Sequence, residues 1–316
     1  MKKILLSLIA TLCALSSHAQ TIEVYHNGTL VESYTNSPRD HYVVKFTSAG
    51  DYENINGHEY VIIGGLKWAT MNVGATTVAE SNATAFGDFY AWGEVDTYYN
   101  SYTDTSVSWY KKTNLTHIPG TDTLKKYSHN WINYCTGDTK NNNFQEWNPV
   151  PYDNNYQLTA DYDVARKEWG GTWRMPTKTD FDNLYLACVD YDYSNTGTSG
   201  GTDAPLKELP NDGNITKEGI YWVPQNSTVE GYLYKVAGVL FVNRDDTKQR
   251  LFFPAAGNIK EINRQSVNTL CSYWSATAKN DNLQYAWPLY LSKDNGIKRN
   301  NPMYRFIGLS IRPVSN

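Results

Sequence analysis

The run Trp169-Gly170-Gly171-Thr172-Trp173-Arg174-Met175-Pro176-Thr177 constrains the fold more than any other stretch of this chain. Two indoles set around a glycine pair, then an arginine and a proline, suit a buried corner where backbone passes close to backbone. Glycine can turn there and proline can end the turn. Gly308-Leu309-Ser310-Ile311-Arg312-Pro313-Val314 answers it at the far end of the sequence. Neither run is catalytic. Arg174 and Arg312 sit inside these runs, so both are expected to direct their five donors to buried backbone carbonyls rather than to an acidic ligand.

Two helices surround the first run. One is expected over residues 160–169, stopped by Gly170-Gly171, where glycine accepts the left-handed conformation that ends helices. The other begins at Thr177, which with Asp180 has the capping-box form. Phe181, Leu184, Tyr185 and Cys188 then follow the i, i+3, i+4, i+7 stripe of a core-facing helix. Beyond residue 219 the chain turns to aromatic and β-branched runs: 220–223, 232–242, 250–253, 285–291 and 305–311. Asn243-Arg244-Asp245-Asp246 and Asp294-Asn295-Gly296 mark turns between them. Residues 95–158 and 191–219 read as loops. Helices first and a strand-dense half after them argue for an α+β fold.

Further anchors occur in a fixed order: Glu59-Tyr60-Val61, Leu66-Lys67-Trp68-Ala69-Thr70-Met71-Asn72-Val73-Gly74-Ala75, Phe86-Gly87-Asp88-Phe89-Tyr90-Ala91-Trp92-Gly93-Glu94 and Asp163-Val164-Ala165. After the tryptophan run come Phe253-Pro254-Ala255-Ala256-Gly257, Tyr273-Trp274-Ser275-Ala276-Thr277 and Arg312-Pro313-Val314. Together they resemble the Fibrobacter succinogenes major paralogous domain family, secreted bacterial modules related to the C-type-lectin-like and formylglycine-generating-enzyme-like folds. The resemblance covers most of residues 58–316. It implies a C-type-lectin-like α+β domain, strand-rich with two short helices, over 49–316, preceded by a small N-terminal β arm over 20–48. In that arm Thr21-Ile22-Glu23-Val24-Tyr25 and Tyr42-Val43-Val44-Lys45-Phe46 read as strands, and Asn27-Gly28 reads as a hairpin turn.

Residues 1–19 have a signal-peptide layout: Lys2 and Lys3, an apolar core from Ile4 to Leu15, and Ser17-His18-Ala19 before an expected cleavage after Ala19. The expected location is therefore secreted, extracellular or at the cell surface, with the periplasm as the alternative. Cys13 follows Leu12 where a lipobox wants a small residue, so a lipoprotein fits poorly. No later segment approaches the roughly 20 apolar residues of a spanning helix. Cleavage would move the formal charge from −4 to 26 − 32, or −6. Without a basic stripe, a nucleic-acid partner is not expected. The remaining cysteines, Cys135, Cys188 and Cys271, are odd in number and form no C-x-x-C, so neither a disulfide framework nor a zinc knuckle is indicated. They read as small buried hydrophobes.

The chemistry of an enzyme is thin. An oxidase of the formylglycine-generating kind needs paired cysteines in the C-terminal part, where only Cys271 occurs. Neither the Glu-Pro-Asn or Gln-Pro-Asp triplet nor the Trp-Asn-Asp of a calcium-dependent lectin is present. Asp190 and Asp192 with Asp161 and Asp163 remain as an improvised calcium set. The five histidines after residue 19 (His26, His41, His58, His117 and His129) accompany no Gly-x-Ser-x-Gly elbow and no H-E-x-x-H. No Walker loop or G-x-G-x-x-G occurs. A carboxylate pair such as Glu94 and Asp96 could serve a polysaccharide-active enzyme. No cofactor and no metal site is expected.

Binding is left. Residues 279–304 combine Tyr and Trp with Asn, a makeup that supplies contact area at low entropic cost and adaptable hydrogen bonds. In C-type-lectin-like modules this segment commonly forms the ligand-facing region, so the expected ligand-binding residues are Tyr285, Trp287, Tyr290, Asn295, Asn300, Asn301 and Tyr304. If Trp287, Leu289 and Leu291 share one strand face, Trp287 packs and Tyr290 stays outside. The expected function is non-enzymatic binding or adhesion to a glycan or protein. The alternatives are an extracellular polysaccharide-active enzyme, or a structural subunit of a surface appendage whose arm pairs with a neighbour's sheet edge.

Overall fold

The computed structural model describes residues 21–26, 29–35, 54–77, 83–95, 98–103, 106–111, 152–189, 205–260, 263–282 and 284–316. The chain divides into two compact units, Met1–Asp51 and Tyr52–Asn316. In the first, β1 (Thr21–His26) pairs antiparallel with β2 (Thr29–Thr35), with a register slip between Val24 and Tyr25. The partner of the first strand is thus the stretch directly after Asn27-Gly28. That turn, residues 42–46 and the expected signal segment lie outside the described residues.

The second unit opens with β3 (Asn54–Ile55), β4 (His58–Ile63) and β5 (Leu66–Ala69), a meander turning at Asn56-Gly57 and Gly64-Gly65. Then β6 (Tyr98–Thr103) and β7 (Ser106–Lys111) pair as a hairpin, which corrects the loop expected over 95–158. Their Tyr, Thr and Ser content suits an exposed strand as well as a coil, so composition alone misleads there. Residues 112–151 of that stretch lie outside the described ones.

Both expected helices are present. A 3₁₀ turn at Ala160–Tyr162 leads into α1 (Val164–Trp169), capped by the Asp163 carboxylate on the Arg166 N–H at 3.2 Å and closed by Gly170 at φ 65°. Helix α2 (Lys178–Leu186) carries a complete capping box between Thr177 and Asp180. Its stripe of Phe181, Leu184, Tyr185 and Cys188 is buried against Val61, Trp68, Phe253, Leu289 and Leu291.

The strand-dense half follows. β8 (Lys207–Glu208) runs parallel to β9 (Gly219–Val223), which pairs with β12 (Gly238–Val242), itself paired with β13 (Arg250–Pro254). Strands β9 and β12 are buried at every position, since alternate residues enter two different cores. Ile220, Trp222, Val239 and Phe241 face the α2 core, while Tyr221, Val223, Leu240 and Val242 join Phe86, Ile215 and Phe252. The expected strand over 232–242 is really two. β11 (Tyr232–Tyr234) pairs with β10 (Ser227–Val229) in a separate exposed hairpin, and only the apolar remainder enters the sheet as β12.

β14 (Asn258–Lys260) and β15 (Asn263–Gln265) make a further hairpin. β16 (Leu270–Ala278) and β17 (Tyr285–Ser292) form the long one, flanked by β18 (Gly296–Ile297) and β19 (Met303–Tyr304). β20 (Val314–Ser315) returns to pair with β5. The expected strand over 305–311 is not a ladder. Gly308 bridges Ile259, Leu309 bridges Tyr90 and Ser310 bridges Tyr273, so successive residues meet three different segments. That seam continues through Val73 N–H to Ile311 O and Ala69 N–H to Pro313 O, each 3.0 Å. Among its described residues the unit is therefore mostly sheet with two α-helices.

The tryptophan corner closes on the same seam. Arg174 and Val314 exchange both backbone hydrogen bonds at 2.9 Å. Trp173 is fully buried and donates its indole N–H to Ile55 O at 2.9 Å. Trp169 is half-buried and stacks on His58 with ring centroids 3.5 Å apart. Arg312 is fully buried, reaching Ala69 O and Phe252 O at 3.0 Å and Asn72 Oδ1 at 2.7 Å, with its guanidinium over the Phe253 ring. Arg174 departs from expectation. It remains partly exposed, and its partners are mainly side chains, Asp180 at 2.6 Å and Asn316 at 2.9 Å, beside one carbonyl, that of Met175.

Candidate functional site

The candidate surface grows out of an irregularity in the long hairpin. From Leu270↔Ser292 to Trp274↔Pro288 the register is regular; it then jumps to Ala278↔Ala286, so Ser275, Ala276 and Thr277 oppose Trp287 alone. Such a bulge bends and twists its strand. Leu289 and Leu291 are buried in the α2 core, whereas Tyr285 and Trp287, at the same parity, are only half-buried. The expectation that Trp287 shares the fate of Leu289 and Leu291 therefore fails at the bulge.

Around Trp287 the structure places two cations. The Lys178 ammonium, from the first residue of α2, is 5.5 Å from the ring centroid and that of Lys279 is 5.9 Å away. Each also has a carboxylate, Asp182 at 2.9 Å for Lys178 and Asp281 for Lys279. Contacts of this kind are worth about 0.5–1 kcal/mol each at exposed sites. Among the described residues the Trp287 indole N–H meets no acceptor. The fully buried indoles differ: Trp68, Trp92, Trp173 and Trp274 donate to the carbonyls of Ile63, Ser275, Ile55 and Tyr90 at 2.9–3.2 Å.

Next to it, β19 brings Tyr304 opposite Tyr285. Their rings stack at 4.3 Å, and Tyr304 stacks in turn on the buried Phe306 at 5.1 Å. A side-chain hydrogen bond with Tyr304, added to burial, pushes the Tyr285 phenol up to about 12. It stays protonated at neutral pH, able to donate and to accept.

The expected site residues thus separate. Tyr285, Trp287 and Tyr304 come together at one end of β17. Tyr290 has the opposite parity, is half-buried, and carries the Lys298 ammonium 5.9 Å from its ring. Burial raises its phenol pKa. Asn295 is exposed at the β17–β18 tip, past Ser292. At about 3.3 Å per residue that tip is roughly 23 Å from Tyr285. Asn300 and Asn301 lie half-buried in the link between β18 and β19. Lys178 and Lys279 were missed, because Lys178 is distant in sequence and reads as an ordinary helix-start residue.

Other sequence candidates resolve into structural roles. The Glu94 carboxylate is buried and accepts from the Ala91 N–H at 2.8 Å, tightening a turn; Asp96 lies outside the described residues. Asp163 caps α1 and also accepts from the Met175 N–H at 3.0 Å, which ties that helix to the corner. Asp161 is exposed, and Asp190 and Asp192 lie outside the described residues. Among the described residues no group of three or more His, Cys, Asp or Glu could hold a metal ion. Cys188 and Cys271 are buried free thiols whose pKa values burial pushes well up, and Cys135 is outside the described residues. No described helix is long and apolar enough to cross a membrane.

No family model, curated protein or solved structure matches this chain.

Proposed function

We propose that this chain is a secreted, non-enzymatic binding module with a C-type-lectin-like domain, and that it recognises a glycan or protein through the face formed by Tyr285, Trp287 and Tyr304. The observation that carries the reading is the half-exposed Trp287, flanked by two ammonium groups and with no acceptor for its N–H among the described residues, beside the stacked Tyr285–Tyr304 pair. Rigid aromatic rings provide area with few rotamers to freeze, and this face sits on strands of a packed scaffold rather than on a free loop. Tyr290 lies further along β17 and Asn295 at its far tip, so a long ligand would be needed to reach them from this face, whereas Asn300 and Asn301 lead into β19.

The test is binding of the purified protein to a broad panel of glycans and extracellular proteins, with and without chelator. A specific partner should be found, and Tyr285→Ala with Tyr304→Ala should weaken it by about tenfold or more, as loss of a contact centre does. Turnover of a polysaccharide, with no specific partner on the panel, would overturn the proposal.

A further inference from the structure

The two cations over Trp287 limit what the β17 face can take. Lys178 is the first residue of α2, although a helix favours acids in its first turn and bases in its last. Its i+4 partner Asp182 also comes in the weaker order, since such a pair is better with the acid before the base. The helix therefore gains little from an ammonium at this position. The bulge is what fixes it there. The Thr277 hydroxyl accepts from the Lys178 N–H at 2.9 Å and donates to Gln157 Oε1 at 2.8 Å, fastening the start of α2 to the strand opposite Trp287. Lys279 is held from the other side, its N–H donating to Tyr285 O at 2.9 Å across the mouth of the β16–β17 hairpin. The cations are thus placed beforehand, which lowers the ordering cost of binding.

Both ammonium groups lie over the indole, so it is no bare platform for the apolar face of a neutral sugar. Donors stand there instead. An ammonium carries three N–H groups, and among the described residues each lysine meets a single carboxylate. Asp281, the partner of Lys279, is 69% exposed. An exposed pair of this kind adds little to stability, so a ligand oxyanion can take its place at small cost. The Trp287 N–H, which meets no acceptor among the described residues, is a further donor at the same spot.

We infer that this face takes an acidic saccharide, with a carboxylate or sulfate held by Lys178, Lys279 and the Trp287 N–H and the neighbouring ring hydroxyls set against Tyr285 and Tyr304. The inference rests on the binding role proposed above for the same face. A charged oxygen on an ammonium makes a shorter and stronger bond than a neutral pair does. The two phenols donate and accept, as the hydroxyls of a sugar ring do. An acidic peptide would satisfy the lysines but brings no row of hydroxyls for the phenols.

The full chain is titrated by calorimetry with a galacturonic acid trisaccharide and a sulfated galactose trisaccharide, each beside its carboxyl-reduced or desulfated counterpart. At least one acidic sugar should bind about tenfold or more tighter than its neutral counterpart, and added salt should narrow the gap. Whichever acid binds tighter identifies the oxyanion. Lys178→Met with Lys279→Met should abolish the preference, while Lys248→Met, at an exposed position between β12 and β13, should leave it whole. Neither Lys178 nor Lys279 enters a core cluster, so the unfolding midpoint should hold. Equal or tighter binding of the neutral sugars would overturn the inference. So would a preference that falls as much with Lys248→Met, or tighter binding of a poly-aspartate peptide than of either acid. A neutral glycan or a protein bound through Tyr304 would overturn it and leave the face a binding site, whereas no ligand of any class would remove both readings.

Discussion

The corner joining residues 169–177 to 312–315 and the face at Tyr285, Trp287 and Tyr304 use the same materials, aromatic rings with basic side chains beside them. They differ in where the polar atoms end. In the corner the Trp173 N–H and three nitrogens of Arg312 terminate on acceptors inside the protein. At the face the Trp287 N–H terminates on none of the described residues, and the nearby ammonium groups are partly solvated. Aromatic richness is therefore a poor marker of a binding site. A half-exposed indole whose donor has been left over, as at Trp287, is a better one.

The contrast breaks most readily at Arg312. Replacing it with Ala leaves Asn72 Oδ1 and the Ala69 and Phe252 carbonyls without that donor, at a cost of about 1–3 kcal/mol for each group left unpaired; urea unfolding should show it, and a loss below about 1 kcal/mol would mean water replaces the guanidinium. The matched pair Trp173→Phe and Trp287→Phe sharpens the comparison. The first strands Ile55 O and should cost about 1–3 kcal/mol, whereas the second should stay within about 0.5 kcal/mol of the parent. Equal effects on the thermal midpoint would erase the distinction drawn here.

The smallest expected effect is on pH. Burial against Trp169 lowers the pKa of His58 from its usual 6.5. Between the two values the unfolded chain binds more protons than the folded one, so stability is full above about pH 6.5 and falls as pH drops toward the lowered value. His58→Gln should flatten that part of a stability–pH curve, and an unchanged slope would remove His58 as its source.

Much of α2 was legible because everything that defines it is local: a cap, its answering acid three residues on, and a stripe at helical spacing. The loop reading of 95–158 failed for the opposite reason, because the hairpin of β6 and β7 depends on pairing that polar residues do not announce. In 191–219 the described residues are irregular except Gly219, where β9 begins, and β8, two exposed residues made a strand only by β9. The site was half legible. Composition pointed to residues 279–304, but the bulge opposite Trp287 and the arrival of Lys178 from α2 are tertiary facts with no period in the sequence.

The seam has a consequence for how the molecule comes into being. Residues 305–315 bond to segments around Ala69, Val73, Tyr90 and Trp92, more than 200 positions earlier, and to Arg174. Contacts so remote in sequence close late, because the intervening chain must first be brought to order. Until the last of those residues has left the ribosome, the first sheet lacks its β20 strand and Trp68 lacks its Val314 neighbour. The seam of such a chain stays open until then, so the first sheet remains unsealed while the rest is made.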